Sequence, residues 1–179
     1  MFNDHFGLTD AVLEGRKTVT RRIAKESNDL SIINGKPTYL GKQQYKVGEV
    51  IAIAKKYQDI IDYSHYNDKE IESISKSAGW SNKMFVLSYL MPNQIEMLDV
   101  RIERLQDITD EDCIKEGISS YDTSGNNYIE TVYGVDMINK FIELGRTPRE
   151  ASASLIDKVS GKGTWESNPY VFRYEFKLK

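Results

Sequence analysis

Five cationic side chains, Arg16, Lys17, Arg21, Arg22 and Lys25, fall within ten residues, and no acidic residue lies between Gly15 and Lys25. In a chain of formal net charge −3, that run is a local positive patch able to hold a phosphate or a carboxylate. The same residue types also suit a solvated edge strand, where lysines and arginines discourage pairing with other chains. Thr18, Val19 and Thr20 within the run favour β structure, so either use is open. The acidic total excludes a protein that coats nucleic acid through bulk charge. Any contact with nucleic acid must come from this patch.

Other chemistry is sparse. Cys113 is the only cysteine, and His5 and His65 are the only histidines, in unlike contexts. A disulfide within the chain is excluded, a multi-cysteine or histidine-based metal site is not expected, and the lone thiol fits a reducing compartment. Cys113 as a nucleophile would need a histidine base beside it. Trp165, Tyr170, Phe172 and Tyr174 could stack on a base, but an aromatic stripe on a strand is more often core. Residues 1–7 lack a basic segment followed by an apolar run, the pattern of a signal peptide, and no apolar stretch approaches membrane-spanning length. The expectation is a soluble cytoplasmic protein with no cofactor and no metal.

The elements that must position the patch are marked by caps and periodicity. Residues 8–15 read as a short helix with Thr9 as cap and Gly15 as left-handed stop. Asn34-Gly35 predicts a hairpin over 31–39, with Pro37 on an edge. A buried strand is expected at 50–54, a polar surface excursion with weak helical pattern at 55–80, and strands at 84–90 and 95–105. In the last of these, Leu98, Val100 and Ile102 alternate with Asp99, Arg101 and Glu103. Thr109 opens a second short helix that Gly117 closes, which puts Glu116 in its last turn, with Asp112 at the reciprocal capping position. Residues 119–131 read as polar and turn-prone, and 136–144 as a helix ending at Gly145. Thr147-Pro148 starts another helix running to about Ser160, and 170–177 alternate as a closing strand.

A helix ending in Gly and followed at once by Arg-Lys-Thr-x-Thr-x-Arg resembles the opening motif of ASCH domains; here it occupies residues 12–22. Residues 46–51 resemble the family's turn into its second strand. Residues 100–109, continuing to Glu116-Gly117, resemble the strand and helix that follow, and 163–171 the closing segment of phage and prophage members. Where phage-type members usually continue the second strand as Trp-Val-Arg-Glu, this chain has Ala52-Ile53-Ala54-Lys55-Lys56. The resemblance implies an α+β fold: a PUA-like mixed β-pseudobarrel with short helices at its rim. It would form a single domain over residues 1–179, with inserted surface segments at about 55–80 and 119–160.

Three functions follow from it. One is binding of RNA or a nucleotide in a basic cleft, with Arg16, Thr18, Arg21 and Arg22 as ligand-binding residues. Another is metal-independent hydrolysis of an N4-acylated cytidine-type nucleoside, with Lys17, Thr20 and Glu116 as catalytic residues. The third is a phage-derived protein-interaction module that uses the inserted segments. A monomer or weak dimer with an RNA, nucleoside or nucleotide ligand and no membrane is the expected state. One geometric condition applies to the hydrolase. Strict alternation would put Lys17 and Thr20 on opposite faces of a strand, so Lys17 must lie in the turn after Gly15, or a bulge must intervene.

Overall fold

The computed structural model describes all residues except 1, 25–29, 34–35, 40–44, 126–127 and 138–139. A 3-10 turn, Asp4–Phe6, leads into α1 (Leu8–Leu13). The cap of α1 is Gly7, at φ 63°, rather than Thr9. Thr9 sits inside the helix, where its hydroxyl donates to the Asp4 carboxylate. The chain then forms β1 (Val19–Ile23), the antiparallel pair β2 (Leu30–Ile33) and β3 (Lys36–Tyr39), and β4 (Val50–Ala52). Asn34, Gly35 and Lys25 lie outside the described residues. Within the excursion, α2 (Asp68–Ser75) is closed by a reciprocal cap between Asn67 and Glu70.

β5 (Gln94–Arg104) is the long strand expected at 95–105, with one interruption. A bulge between Met97 and Asp99 resets the alternation, so Ile95 and Met97 are buried, Leu98 is exposed, and Val100 and Ile102 turn inward again. α3 (Asp110–Lys115) is capped by Thr109, whose hydroxyl accepts from the Asp112 backbone at 3.1 Å. The Asp112 carboxylate does not reach back to complete the box; it is used elsewhere.

The described residues between Ile118 and Gly145 form strands, which corrects two expectations. β6 (Ile118–Gly125) and β7 (Tyr128–Met137) pair over the stretch read as polar turns, and β8 (Lys140–Gly145) replaces the second half of the expected helix. Met137 pairs with Lys140, so the helical spacing of the apolar residues on either side belongs to two antiparallel strands. Gly134 makes the pairing possible: a Cβ there would meet the Ile142 carbonyl carbon at 2.8 Å, and its oxygen more closely still. α4 (Pro148–Ser160) follows the Thr147 cap, then α5 (Thr164–Ser167) and β9 (Tyr170–Leu178).

The strands form a four-stranded sheet in the order β1-β9-β5-β4, the β2-β3 pair, and a three-stranded sheet β6-β7-β8. All pairings are antiparallel, and no closed barrel forms among the described residues. Two buried clusters hold the sheets. One packs Phe172, Tyr174 and Phe176 of β9 against Val12, Ile53, Ile95 and Met97. The other joins Phe6 and Leu8 to Cys113, Ile118, Val135, Ala151 and Leu155. Residues 118–160 therefore contribute to the core against which α3 packs, and are more than surface decoration. No helix among the described residues is long and apolar enough to cross a membrane.

Candidate functional site: a cavity beside a buried ion cluster

α1 ends at Leu13, and Gly15, at φ 75°, turns the chain back beneath it. The Lys17 amide donates to Ala11 O at 2.9 Å, and the Thr18 amide donates to Lys115 O at 2.8 Å. Thr18 O in turn accepts from Phe176 N at 2.9 Å. Residues 17 and 18 are thus pinned between α1, the end of α3 and β9, before β1 begins at Val19. The condition set by the alternation is met in this way: Lys17 lies in the turn, and its side chain does not follow strand parity.

Lys17 is buried, with 2% of its side chain exposed. Its Nζ donates to Val19 O at 2.8 Å and to Glu116 O at 2.7 Å, and the Glu116 carboxylate lies at 3.5 Å. The amine is pushed below the ordinary lysine value. Burial is the main cause, the nearby Arg22 and Arg21 charges add to it, and Glu116 opposes it. Two of its N–H positions are occupied by the backbone carbonyls, and the third faces the Glu116 carboxylate.

Arg21, two residues into β1, is saturated by carboxylates. Its Nε and Nη2 donate to Glu103 at 2.8 and 2.6 Å, Nη2 also to Asp112 at 2.6 Å, and Nη1 to Glu116 at 2.8 Å. Burial works against its charge, and Glu116, Asp112 and Glu103 more than restore it. In the sheet register Arg21 lies opposite Arg173, which lies opposite Arg101. Three cations in one cross-strand row would repel. Asp112 answers them, accepting from Arg173 Nη2 at 2.9 Å and Nε at 3.2 Å as well as from Arg21. Burial alone would raise the Asp112 carboxyl; the hydrogen bonds from Arg173 and Arg21 outweigh it and hold the group at about 2. Glu175 completes the pairing of Arg173 at 2.8 Å.

Beside this cluster lies a cavity of about 530 Å³. Its polar lining includes Lys17, Thr20, Arg21, Arg22 and Glu116, from β1, the turn before it and the end of α3. Its apolar lining comes from α1, α4, α5 and the turn before α3, through Leu8, Leu155, Ile156, Val159, Trp165 and Ile108. That volume falls within the roughly 300–1,000 Å³ typical of small-molecule sites. Thr20 shares the cavity but makes no hydrogen bond to Lys17 or Glu116. Arg22 lines it as well. Arg16 and Thr18 do not: Arg16 pairs with Glu14 on the surface, and Thr18 is held through its backbone.

Arg173, Asp112 and Glu103 were not singled out from the sequence. The available signal was Arg173 itself, an arginine in the middle of an otherwise aromatic, alternating strand. Tyr170, Phe172 and Tyr174 belong to the core cluster, while Trp165 faces the cavity with the Arg149 guanidinium 5.2 Å from its ring centre. Burial pushes the Cys113 thiol up, which makes it a poor nucleophile. Among the described residues, no group of three or more His, Cys, Asp or Glu side chains is placed to hold a metal ion. Compared with family models, curated proteins and solved structures, the chain matches none.

Proposed function

We propose that the cavity is the active site of an amidohydrolase acting on a small N-acylated pyrimidine nucleoside of the N4-acylcytidine type, on an ASCH-like, PUA-related scaffold. The observation that carries this reading is the buried Lys17 amine, its pKa lowered by burial, facing Glu116 at the wall of a cavity that is open to solvent. Amide hydrolysis needs a base for the attacking oxygen and a proton for the departing amine. Lys17 takes the proton of the attacking hydroxyl, from water or from Thr20, and Glu116 relays it to the leaving nitrogen. Arg21 is a positioning residue, because its Nη1 holds one Glu116 oxygen and leaves the other toward Lys17. The apolar wall of α4 suits the acyl group.

The test is turnover of N4-acetylcytidine and longer acyl homologues by the purified protein, followed by chromatography of released cytidine. Wild type forms cytidine, and Lys17→Met and Glu116→Gln do not. A folded wild type that converts no member of the series contradicts the reading.

A second reading, binding of a nucleotide or RNA segment without turnover, is favoured by Arg22 on the cavity wall. It predicts affinity that falls with salt and with Arg22→Ala. Arg21 is unsuitable for that test, since its donors already serve carboxylates.

A further inference from the structure

A surface helix turns its apolar stripe toward the core, and α4 turns part of its stripe toward the cavity instead. Ser152, Leu155, Ile156, Val159 and Ser160 recur at i, i+3, i+4, i+7 and i+8, one face of the helix, and all five line the cavity. None of them is charged. The stripe starts at Ser152, against Cys113 of α3, the helix whose end carries Glu116. The Asp157 carboxylate, off that face, accepts from the Gly163 amide at 3.0 Å and the Trp165 amide at 2.8 Å, which folds α5 back along α4. Trp165, also in the lining, is thereby fixed beside the stripe, its ring backed by the Arg149 guanidinium. The apolar wall is pre-organised.

From Leu155 to Val159 the apolar part runs about 6 Å along the axis, at ~1.5 Å per residue. A zigzag of about five carbons joined by ~1.5 Å bonds covers that length. An acetyl group held beside Lys17 and Glu116 leaves most of the wall in water, and covering it is favourable in proportion to the apolar area. We propose that this face of α4, with Trp165, is the subsite for the acyl chain of the substrate, and that it selects chains of about six carbons over acetyl. The proposal rests on the hydrolase reading for what the chain is attached to. In that reaction the water oxygen bonds to the acyl carbon as the bond to N4 breaks. N4 takes one water proton, and the free acid formed loses the other to solvent.

The experiment has two arms, both with the full chain. In the first, kcat/KM is read for N4-acetyl-, N4-butyryl- and N4-hexanoylcytidine, and should rise at least ~tenfold from acetyl to hexanoyl as methylenes are buried. Val159→Ser, at a position 39% exposed, should lower the hexanoyl-to-acetyl ratio at least ~threefold. Val159→Trp, which fills the outer end of the subsite, should bring that ratio to about one or below. A ratio is read only from protein that folds and turns over, so general damage does not imitate the effect. In the second arm, calorimetry compares N4-hexylcytidine with N4-ethylcytidine, which lack the carbonyl and cannot be hydrolysed. The hexyl compound should bind wild type at least ~tenfold more tightly, and Val159→Trp without preference. Cytidine released at equal kcat/KM across the series overturns the chain subsite and keeps the hydrolase. No turnover together with tighter hexyl binding contradicts the hydrolase and keeps the subsite. Equal binding of the two alkyl compounds, or a wild-type preference that neither Val159 variant alters, overturns the proposal.

Discussion

Arg21 and Lys17 stand four residues apart, each with 2% of its side chain exposed, and their compensation differs completely. Arg21 meets three carboxylates at 2.6–2.8 Å. Lys17 meets two neutral carbonyls and one carboxylate at 3.5 Å. A guanidinium cannot release its charge, so burying it demands full pairing; an amine can drop its proton instead. One charged cluster therefore has a closed half, Arg21 with Arg173, Asp112 and Glu103, and an open half, Lys17 with Glu116 at the cavity. The closed half is structure. The open half is where the proposed reaction would exchange a proton.

The largest effect that would break this contrast lies in the closed half. Asp112→Ala takes the shared carboxylate from two buried arginines, which keep Glu103, Glu116 and Glu175, and should cost about 1.5–3 kcal/mol in urea unfolding. A cost below about 1 kcal/mol, the size expected of an exposed ion pair, would mean that the closed half is not structural. In the open half, Lys17→Met and Glu116→Gln should each lower hydrolysis at least ~100-fold, or about 2.7 kcal/mol of transition-state stabilisation. Thr20→Ser set against Thr20→Val sharpens the mechanism. A hydroxyl nucleophile tolerates only serine, whereas a water nucleophile tolerates both within about tenfold.

The pH dependence separates the halves further. Asp112 is held at about 2 in the fold, against 3.8 for an ordinary aspartate. Its stabilisation is therefore fully present above pH 3.8 and lost as pH falls through about 2. An acid titration of stability should show this loss in wild type, and it should be flattened in Asp112→Asn. The smallest effect belongs to Arg16, outside the cavity and paired with Glu14 on the surface. Arg16→Ala should change stability by less than about 0.5 kcal/mol and leave turnover as it was.

The open half was legible in the chain because its determinants are local. Two helices end in glycines, Gly15 and Gly117, and each delivers one member of the pair in the residues beside it. The closed half was not, because Asp112, Glu103 and Arg173 lie on α3, β5 and β9 and meet only through the sheet register. Read locally, Asp112 at the third position of a helix suggests a cap, and the arginine row pulls it away from that task. Residues 136–144 misled for a related reason: apolar residues on two paired strands mimic helical spacing, and the close approach of Ile142 to Gly134 belongs to the strand pairing. At 84–90 the apolar run suggested a strand, and the chain instead forms two 3-10 turns with most of those side chains exposed.

The state of Lys17 is the most direct point of test. Lysine ε-carbon NMR across a pH titration, in wild type and in Glu116→Gln, reads that amine itself. Its midpoint should lie below the ordinary 10.5, and lower still when the Glu116 charge that supports the proton is removed. A Lys17 amine that titrates at or above 10.5 would contradict it, since a permanently charged lysine leaves the cavity without its base.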